Sequence, residues 1–358
     1  MKKANVFAGL VAVSLPYAVS PGATVSWNAD VPVGATWNDK ANWDTRIPMD
    51  ADTASFTADQ ANTYTVNVSE RARAEGLSFK QSYTFEGSGS FDLRGNNEKG
   101  NNFVHNQTGV TTTFNIPVSV CQSGPTAGSF ASFVSVAGGK TILNKALKST
   151  GTAGAVNLVR DVELNGDIDV ATRLRMNTGA GNNQVVTVGG QGSTRSALYW
   201  ILTGDLKLYL NRTGAYATDD KLMYVEQARV YLGADNAIEA GTNVRFKTAG
   251  YGLIAKGFNQ DFGWLDADAD VVLDMGGSDS VWTFQDSSFA ATVWGASSVK
   301  IINLGDSIIR FAIDSANGGT GLSDSQIRKI NLNGKTLSRD DVREDGGFLY
   351  ITQSRIIS

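Results

Sequence analysis

The chain has 358 residues, 39 glycines, 18% charged residues and a formal charge of −4, with a pI near 5.2. That length can bury a substantial core as one elongated domain or two compact ones. Mild acidity and the lack of any Lys/Arg run interleaved with aromatics exclude nucleic acid as a partner.

The chain opens MKKANVFAGLVAVSLPYAVSPGA. Lys2 and Lys3 precede an apolar run from Val6 to Leu15 that is too short to span a bilayer, and small residues follow. This predicts a Sec-type signal peptide over residues 1–23, and hence a secreted or cell-surface protein. No second long apolar stretch occurs, so no integral membrane segment is expected once the signal is removed. The last residues, FLYITQSRIIS, carry no block of amphipathic strands of the kind that builds an outer-membrane barrel. Cys121 is the only cysteine, so no internal disulfide is available; it is expected to be a buried small hydrophobe.

Residues 24–60 are rich in tryptophan. Trp37 and Trp43 stand in ATWNDKANWD, with Trp27 just upstream. Such a cluster suits either a platform that stacks on sugars or the plug at one end of a fold. From residue 62 onward, short runs such as TYTVNV, LKLYLNRTG and DVVLDMGG alternate apolar with polar residues and close on Gly, Asn or Asp. Alternation predicts strands with one face inward, and the closing residues tolerate turns at positive φ. The spacing fits stacked antiparallel sandwiches or a parallel solenoid, and the strand pattern alone does not choose. One helix is specified, about 323–330, in GLSDSQIRKINLNG. There Ser323 and Gln326 form a capping box, Leu322 and Ile327 a hydrophobic staple, and a strand follows.

Several segments together resemble bacterial proteins with autotransporter-associated β-strand repeats. TWNDKANWDTRIPMDADTASF is similar to the first coil of that family at Trp37, Asn42, Trp43, Pro48, Asp52 and Phe56. ARVYLGADNAIEAGTNVRF resembles the repeat itself at Gly233, Ala234, Asn236, Ala237, Gly241 and Thr242. VWTFQDSSFAATVW and the following GLSDSQIRK resemble a C-terminal module at Asp286, Ser287, Ser288, Trp294, Leu322, Ser323 and Gln326. The chain departs from the family in lacking both the membrane barrel and the sorting tail of many relatives. The resemblance implies an all-β, right-handed, single-stranded parallel β-helix: a cap or first coil over 24–60, the solenoid over 61–280, and a C-terminal β module over 281–358. It also implies a passenger-like structural role with no catalytic residues. Trp43 and Phe56 then suit the plug of the first coil, and Asn38, Asp39 and Asn42 its polar rim.

Chemistry-bearing residues are sparse. His105 is the only histidine, lies 16 residues from Cys121 and has no Gly-x-Ser-x-Gly elbow to serve, so a surface or loop position is expected. Asp266, Asp268 and Asp270 alternate in LDADADVVLD, but Val271 stands where a calcium loop needs Gly, so a solvated acidic turn is expected. Asp161, Glu163, Asp167 and Asp169, with Arg160, Arg173 and Arg175 nearby, could line a polysaccharide lyase face or simply a charged strand edge. No catalytic, metal or cofactor site is therefore expected. The leading expectation is a non-enzymatic, adhesin-like rod making weak multivalent contacts with surface glycans or other cell-surface proteins. A glycan-active or glycan-binding β-helix and a surface-layer or fibre subunit are the alternatives. Oligomeric state is not encoded in any motif.

Overall fold

The computed structural model describes residues 22–28, 31–56, 64–95, 102–122, 130–150, 155–176, 184–289, 294–295 and 297–353. The expected signal peptide falls almost wholly outside the described residues, as does the side chain of Cys121.

The alternating runs stack strand on parallel strand into a β-solenoid. A 15-stranded first sheet and a 14-stranded second sheet run its length, and a 6-stranded third sheet makes the early coils triangular. Stacking on the second sheet is in register, so each inward position there lies on its counterpart in the next coil, while the first sheet slips at Ser132/Phe133 and at Thr242/Val244. On the second sheet one such column runs Tyr83, Thr112, Thr141, Val162, Val186, Leu208, Val230, Leu253, Leu273, Ile301 and Leu332. Outward neighbours alternate with these, as in Leu206–Leu210, where Leu206, Leu208 and Leu210 are buried and Lys207 and Tyr209 half-buried. Parallel stacking continues past residue 280 through the strands Val281–Phe284, Val299–Ile302, Ile308–Ala312 and Ile330–Leu332.

Where the inward column turns polar at Thr112 and Thr141, a buried side chain completes it. The Asn106 amide accepts from Thr112 Oγ1 at 2.6 Å and donates to Thr141 Oγ1 at 3.0 Å. A fully buried hydroxyl without such a partner would destabilise the coil. At one corner Asn144 donates to Asn115 at 2.8 Å and Asn165 to Asn144 at 2.9 Å, an amide ladder along the rod axis. The third sheet stops at Thr194–Ser196. Just beyond it the buried Arg212 donates to the carbonyls of Gly189 (2.7 Å), Gly166 (2.9 Å) and Ser193 (3.2 Å) and to Thr194 Oγ1 (2.9 Å). One guanidinium thus satisfies acceptors from several coils where the ladder of the third face ends.

Both ends reverse the chain. At the start, Trp43 bridges Trp27 in antiparallel fashion. Asn28 N donates to Asn42 O at 3.0 Å and Asp44 N to Ser26 O at 3.0 Å, covering the free edge of Thr24–Ser26. At the far end Phe348–Ile351 pairs antiparallel with Ile308–Ala312, and Arg343–Asp345 pairs antiparallel with it in turn. Reversal takes hydrogen-bonding edges away from further parallel stacking. Inside the first coil Trp27, Trp37, Trp43 and Phe56 are buried against one another. Ring centroids lie 4.8 Å apart for Trp27 and Trp43 and 4.6 Å apart for Trp37 and Trp43, both edge to face. Trp43 Nε1 donates to Trp37 O at 2.8 Å. The plug is wider than the expected pair Trp43 and Phe56. Asn42 belongs to it rather than to the rim, because its buried amide donates to Thr36 O at 2.8 Å. Asp39 is exposed and caps the short turn Lys40–Asn42 through Ala41 N.

The helix is shorter than expected. It covers a single turn, Asp324–Ile327, and Arg328 already caps it before the strand Ile330–Leu332 begins. Its start is as expected: Ser323 Oγ accepts from Gln326 N, Gln326 Oε1 accepts from Ser323 N at 2.7 Å, and Leu322 and Ile327 are buried. Gln326 Nε2 also donates to Ser287 O at 2.9 Å, so tertiary bonding ties the turn to the rod.

Trp43→Ala is expected to lower unfolding free energy by about 3–5 kcal/mol, read by guanidinium titration with tryptophan fluorescence. Ser323→Ala is expected to cost about 1 kcal/mol in the same assay.

Candidate functional site on the second sheet

The outward face of the second sheet carries two columns set by the same register as the core. One runs Lys207, Arg229, Gly252, Val272, Lys300 and Asn331, and the other Tyr209, Tyr231, Ile254, Asp274 and Ile302. Tyr209 and Tyr231 stack with centroids 4.4 Å apart and planes 12° from parallel. Lys256 Nζ sits 5.4 Å from the Tyr231 ring, and Arg229 lies 5.4 Å from the Tyr251 ring. Burial, followed by the nearness of Tyr209, raises the Tyr231 phenol above its ordinary range.

Between Arg229 and Lys300 the face sinks. Gly252 has no side chain, and a Cβ there would lie 1.7 Å from Val272 O, so the close approach of neighbouring strands requires glycine. The result is a hollow of about 280 Å³ walled by Arg229, Tyr251, Ile254 and Asp274. In the adjoining coils a second, separate cleft of about 940 Å³ is bordered by Lys300, Asn303, Arg328, Lys329 and Asn331. The outward column from Lys207 to Asn331, along which these two hollows lie, forms a discontinuous trough spanning roughly 24 Å along the rod axis at ~4.8 Å per strand.

Cations outnumber carboxylates on this strip. Arg229 pairs with Asp205 at 2.8 Å, and Asp274 accepts from Asn303 Nδ2 at 2.9 Å. Lys207, Lys256, Lys300 and Arg328 have no ion-pair partner among the described residues. Lys329 Nζ donates to the carbonyls of Trp294 and Gly295. In a chain of net charge −4 this is a local excess of positive charge.

The residues singled out in the sequence lie elsewhere or are occupied. His105 is not in a loop; it sits half-buried in the strand Asn102–Asn106, in register with Ser78 and Val134. The possible lyase acids do not converge. Asp161 and Glu163 lie on the second sheet, where Glu163 pairs with Lys140 and Asp161 accepts from Val185 N at 2.9 Å. Asp169 is on the third sheet, and Asp167, just before that strand, accepts from Ser193 N at 2.8 Å and Ser193 Oγ at 2.9 Å. Those bonds hold Asp167 below the usual carboxylate range. Arg173 lies over the Tyr199 ring at 4.8 Å. Among the described residues no group of three or more His, Cys, Asp or Glu is placed to hold a metal, and no helix is long and apolar enough to cross a membrane.

The triplet Asp266, Asp268 and Asp270 is not one solvated turn. Asp270 accepts from Ser298 N at 2.7 Å and Ser298 Oγ at 2.9 Å. Asp268 accepts from Arg245 Nη2 at 2.7 Å and Lys247 Nζ at 2.8 Å. Asp266, at the end of Gln260–Ala267, is fully buried. Arg245 Nε lies 3.0 Å from its Oδ2 but donates to Asp268 instead, so neither oxygen of Asp266 accepts a hydrogen bond among the described residues. Burial, with repulsion from Asp268, pushes its pKa up to about 7. Asp268 is itself partly buried, but hydrogen bonds from Lys247 and Arg245 hold it below the ordinary range.

No family model, curated protein or solved structure matches this chain.

Asp266 generates a pH prediction. The folded carboxyl keeps its proton to about pH 7, whereas the unfolded one releases it near pH 4. The folded state therefore binds the extra proton between these values, and the Asp266 contribution to stability falls as pH rises from about 4 to about 7. Asp266→Asn is expected to flatten this fall and to raise stability at pH 8, read by urea titrations from pH 5 to 8. The partnered Asp268 acts oppositely, losing its contribution only as pH falls below about 4.

Proposed function

We propose that the protein is a non-catalytic, exported or cell-surface rod of the adhesin-like kind, which holds surface glycans along the outer face of its second sheet. This is the role implied by the autotransporter-associated repeats that its sequence resembles. The observation that carries the reading is the trough from Lys207 to Asn331, a shallow surface built of Tyr, Lys, Arg and Asn at fixed axial intervals. Each coil offers few contacts, so affinity comes from many coils engaging one chain at once. Of the candidate lyase acids, Asp161, Asp167 and Glu163 are each held by a neighbouring backbone group or cation, and Asp169 stands on a different sheet from Asp161 and Glu163, which disfavours an acid and base facing each other across a reacting bond. The antiparallel covers at both ends of the first sheet favour a discrete rod over a fibre subunit that extends by parallel stacking.

The mature chain, offered a panel of immobilised polysaccharides, is expected to retain some of them without releasing shorter products. Product release that disappears in Asp161→Asn or Asp167→Asn would overturn the reading in favour of an enzyme.

A further inference from the structure

We infer that the ligand of the second-sheet trough is an acidic polysaccharide, a polymer of uronate or sulfated sugars lying parallel to the rod axis. This rests on the glycan-holding reading above and adds the ligand's charge, its direction and the residues that select it.

Direction follows from register. Lys207 and Arg229 occupy the same outward position of adjacent strands and Lys300 that position three strands further on, so all three lie on one axial line. Arg229 and Lys300 stand three strands apart, roughly 14 Å at ~4.8 Å per strand, with Lys207 one strand beyond Arg229. The hollow over Gly252 fills the interval between them. A straight polymer of anionic units can thus meet a cation at each end of the hollow while its body rests on Ile254 and Val272. Across the axis, by contrast, the corners of the coil turn the surface away.

Charge follows from the pairing census. Of the carboxylates that reach the strip, Asp205 is neutralised by Arg229, whereas Asp274 and Asp270 accept from the neutral Asn303 and Ser298 and keep their charge, so cations outnumber anions without being alone. Lys207, Lys256, Lys300 and Arg328 lack an acid partner among the described residues. A neutral glucan would leave these ammonium and guanidinium groups uncompensated. Carboxylate or sulfate groups on the sugar would pair with them, adding affinity that falls with salt.

Sugar rather than nucleic acid follows from how the aromatic rings are used. A single-strand binder presents free aromatic faces on which bases stack. Here Tyr209 and Tyr231 stack on each other, Lys256 lies over Tyr231 and Arg229 lies over Tyr251. With one face of each of these rings engaged within the protein and Asn303 Nδ2 held by Asp274, phenol hydroxyls, Asn331 Nδ2 and the Asn333 amide remain for a ligand. Those groups suit a hydroxyl-rich chain.

The test compares alginate, dextran and a single-stranded oligonucleotide by biolayer interferometry with the full mature chain. Its variant is Lys207→Ala/Lys300→Ala, both at outward surface positions and checked for unchanged folding by circular dichroism. Alginate is expected to bind, with affinity falling as salt rises and about tenfold weaker in the variant, whereas dextran and the oligonucleotide do not bind comparably. Equal binding of alginate and dextran, unaffected by the variant, would overturn the acidic ligand and leave the glycan-holding rod standing. Tighter binding of the oligonucleotide would overturn the inference outright, and so would alginate binding that ignores both salt and the two lysines. Alginate shortened during the assay would instead sink the non-catalytic reading.

Discussion

A coil of a parallel solenoid has only the coils above and below it in which to bury its inward side chains. Everything else in the molecule depends on that in-register contact. A column such as Leu208, Val230, Leu253 and Leu273 stays apolar because a polar side chain in any one slot would face an apolar neighbour on both sides. Where polarity enters, at Thr112 and Thr141, Asn106 arrives from the first sheet to satisfy both. The same constraint explains the ends, because the terminal coil has one neighbour instead of two. Three tryptophans and Phe56 supply at the start the apolar bulk that the missing neighbour would have provided, and the reversed segments close the hydrogen-bonding edges.

Register also decides what stands outside. If inward residues align from coil to coil, outward residues align equally well, although nothing in the core selects their identity. The outer face is therefore a set of axial columns whose chemistry is free to serve other ends. On the second sheet those columns hold two stacked tyrosines and a line of cations. On the first sheet Tyr199, Tyr224, Arg245 and Lys247 also gather, but there Asp268 accepts from both cations. The two faces use similar residues, and pairing separates them: on the first a single carboxylate holds both cations, and on the second only Arg229 of the column has an acid partner.

Much of the fold was legible because it is local in sequence. Alternation in LKLYL and DVVLD names the strands, Asn and Gly name the turns, and Ser323 with Gln326 names the helix start. The length of that helix was not legible: Ile330 also fits a helical face, yet register pairing with Val299 claims it for the second sheet. Asp266 was misread for a similar reason. Its neighbours in sequence are acidic and suggest a wet turn, yet it is fully buried, on a strand whose adjacent Leu265 is bonded to Ser287 and Trp294 far along the chain.

The basic strip was harder still to see, since each strand contributes a single cation and no run of charge appears. Its trace lies in the repetition of LKLYL and ARVYL, which share a cation at the second place and tyrosine at the fourth. That pair of strings fixes Lys207 on Arg229 and Tyr209 on Tyr231 once the strands are stacked in register. Lys300 keeps the second place in VKII, two coils beyond Gly252, though no tyrosine follows it. A column of like charge is repulsive along its own length, so the core gives no reason for it. Neutral residues would serve stability as well at Lys207 and Lys300, which have no acid partner among the described residues, whereas Arg229 gains Asp205 and the Tyr251 ring. A feature that the fold does not require, and that costs it some repulsion, points outward to whatever the face is built to hold.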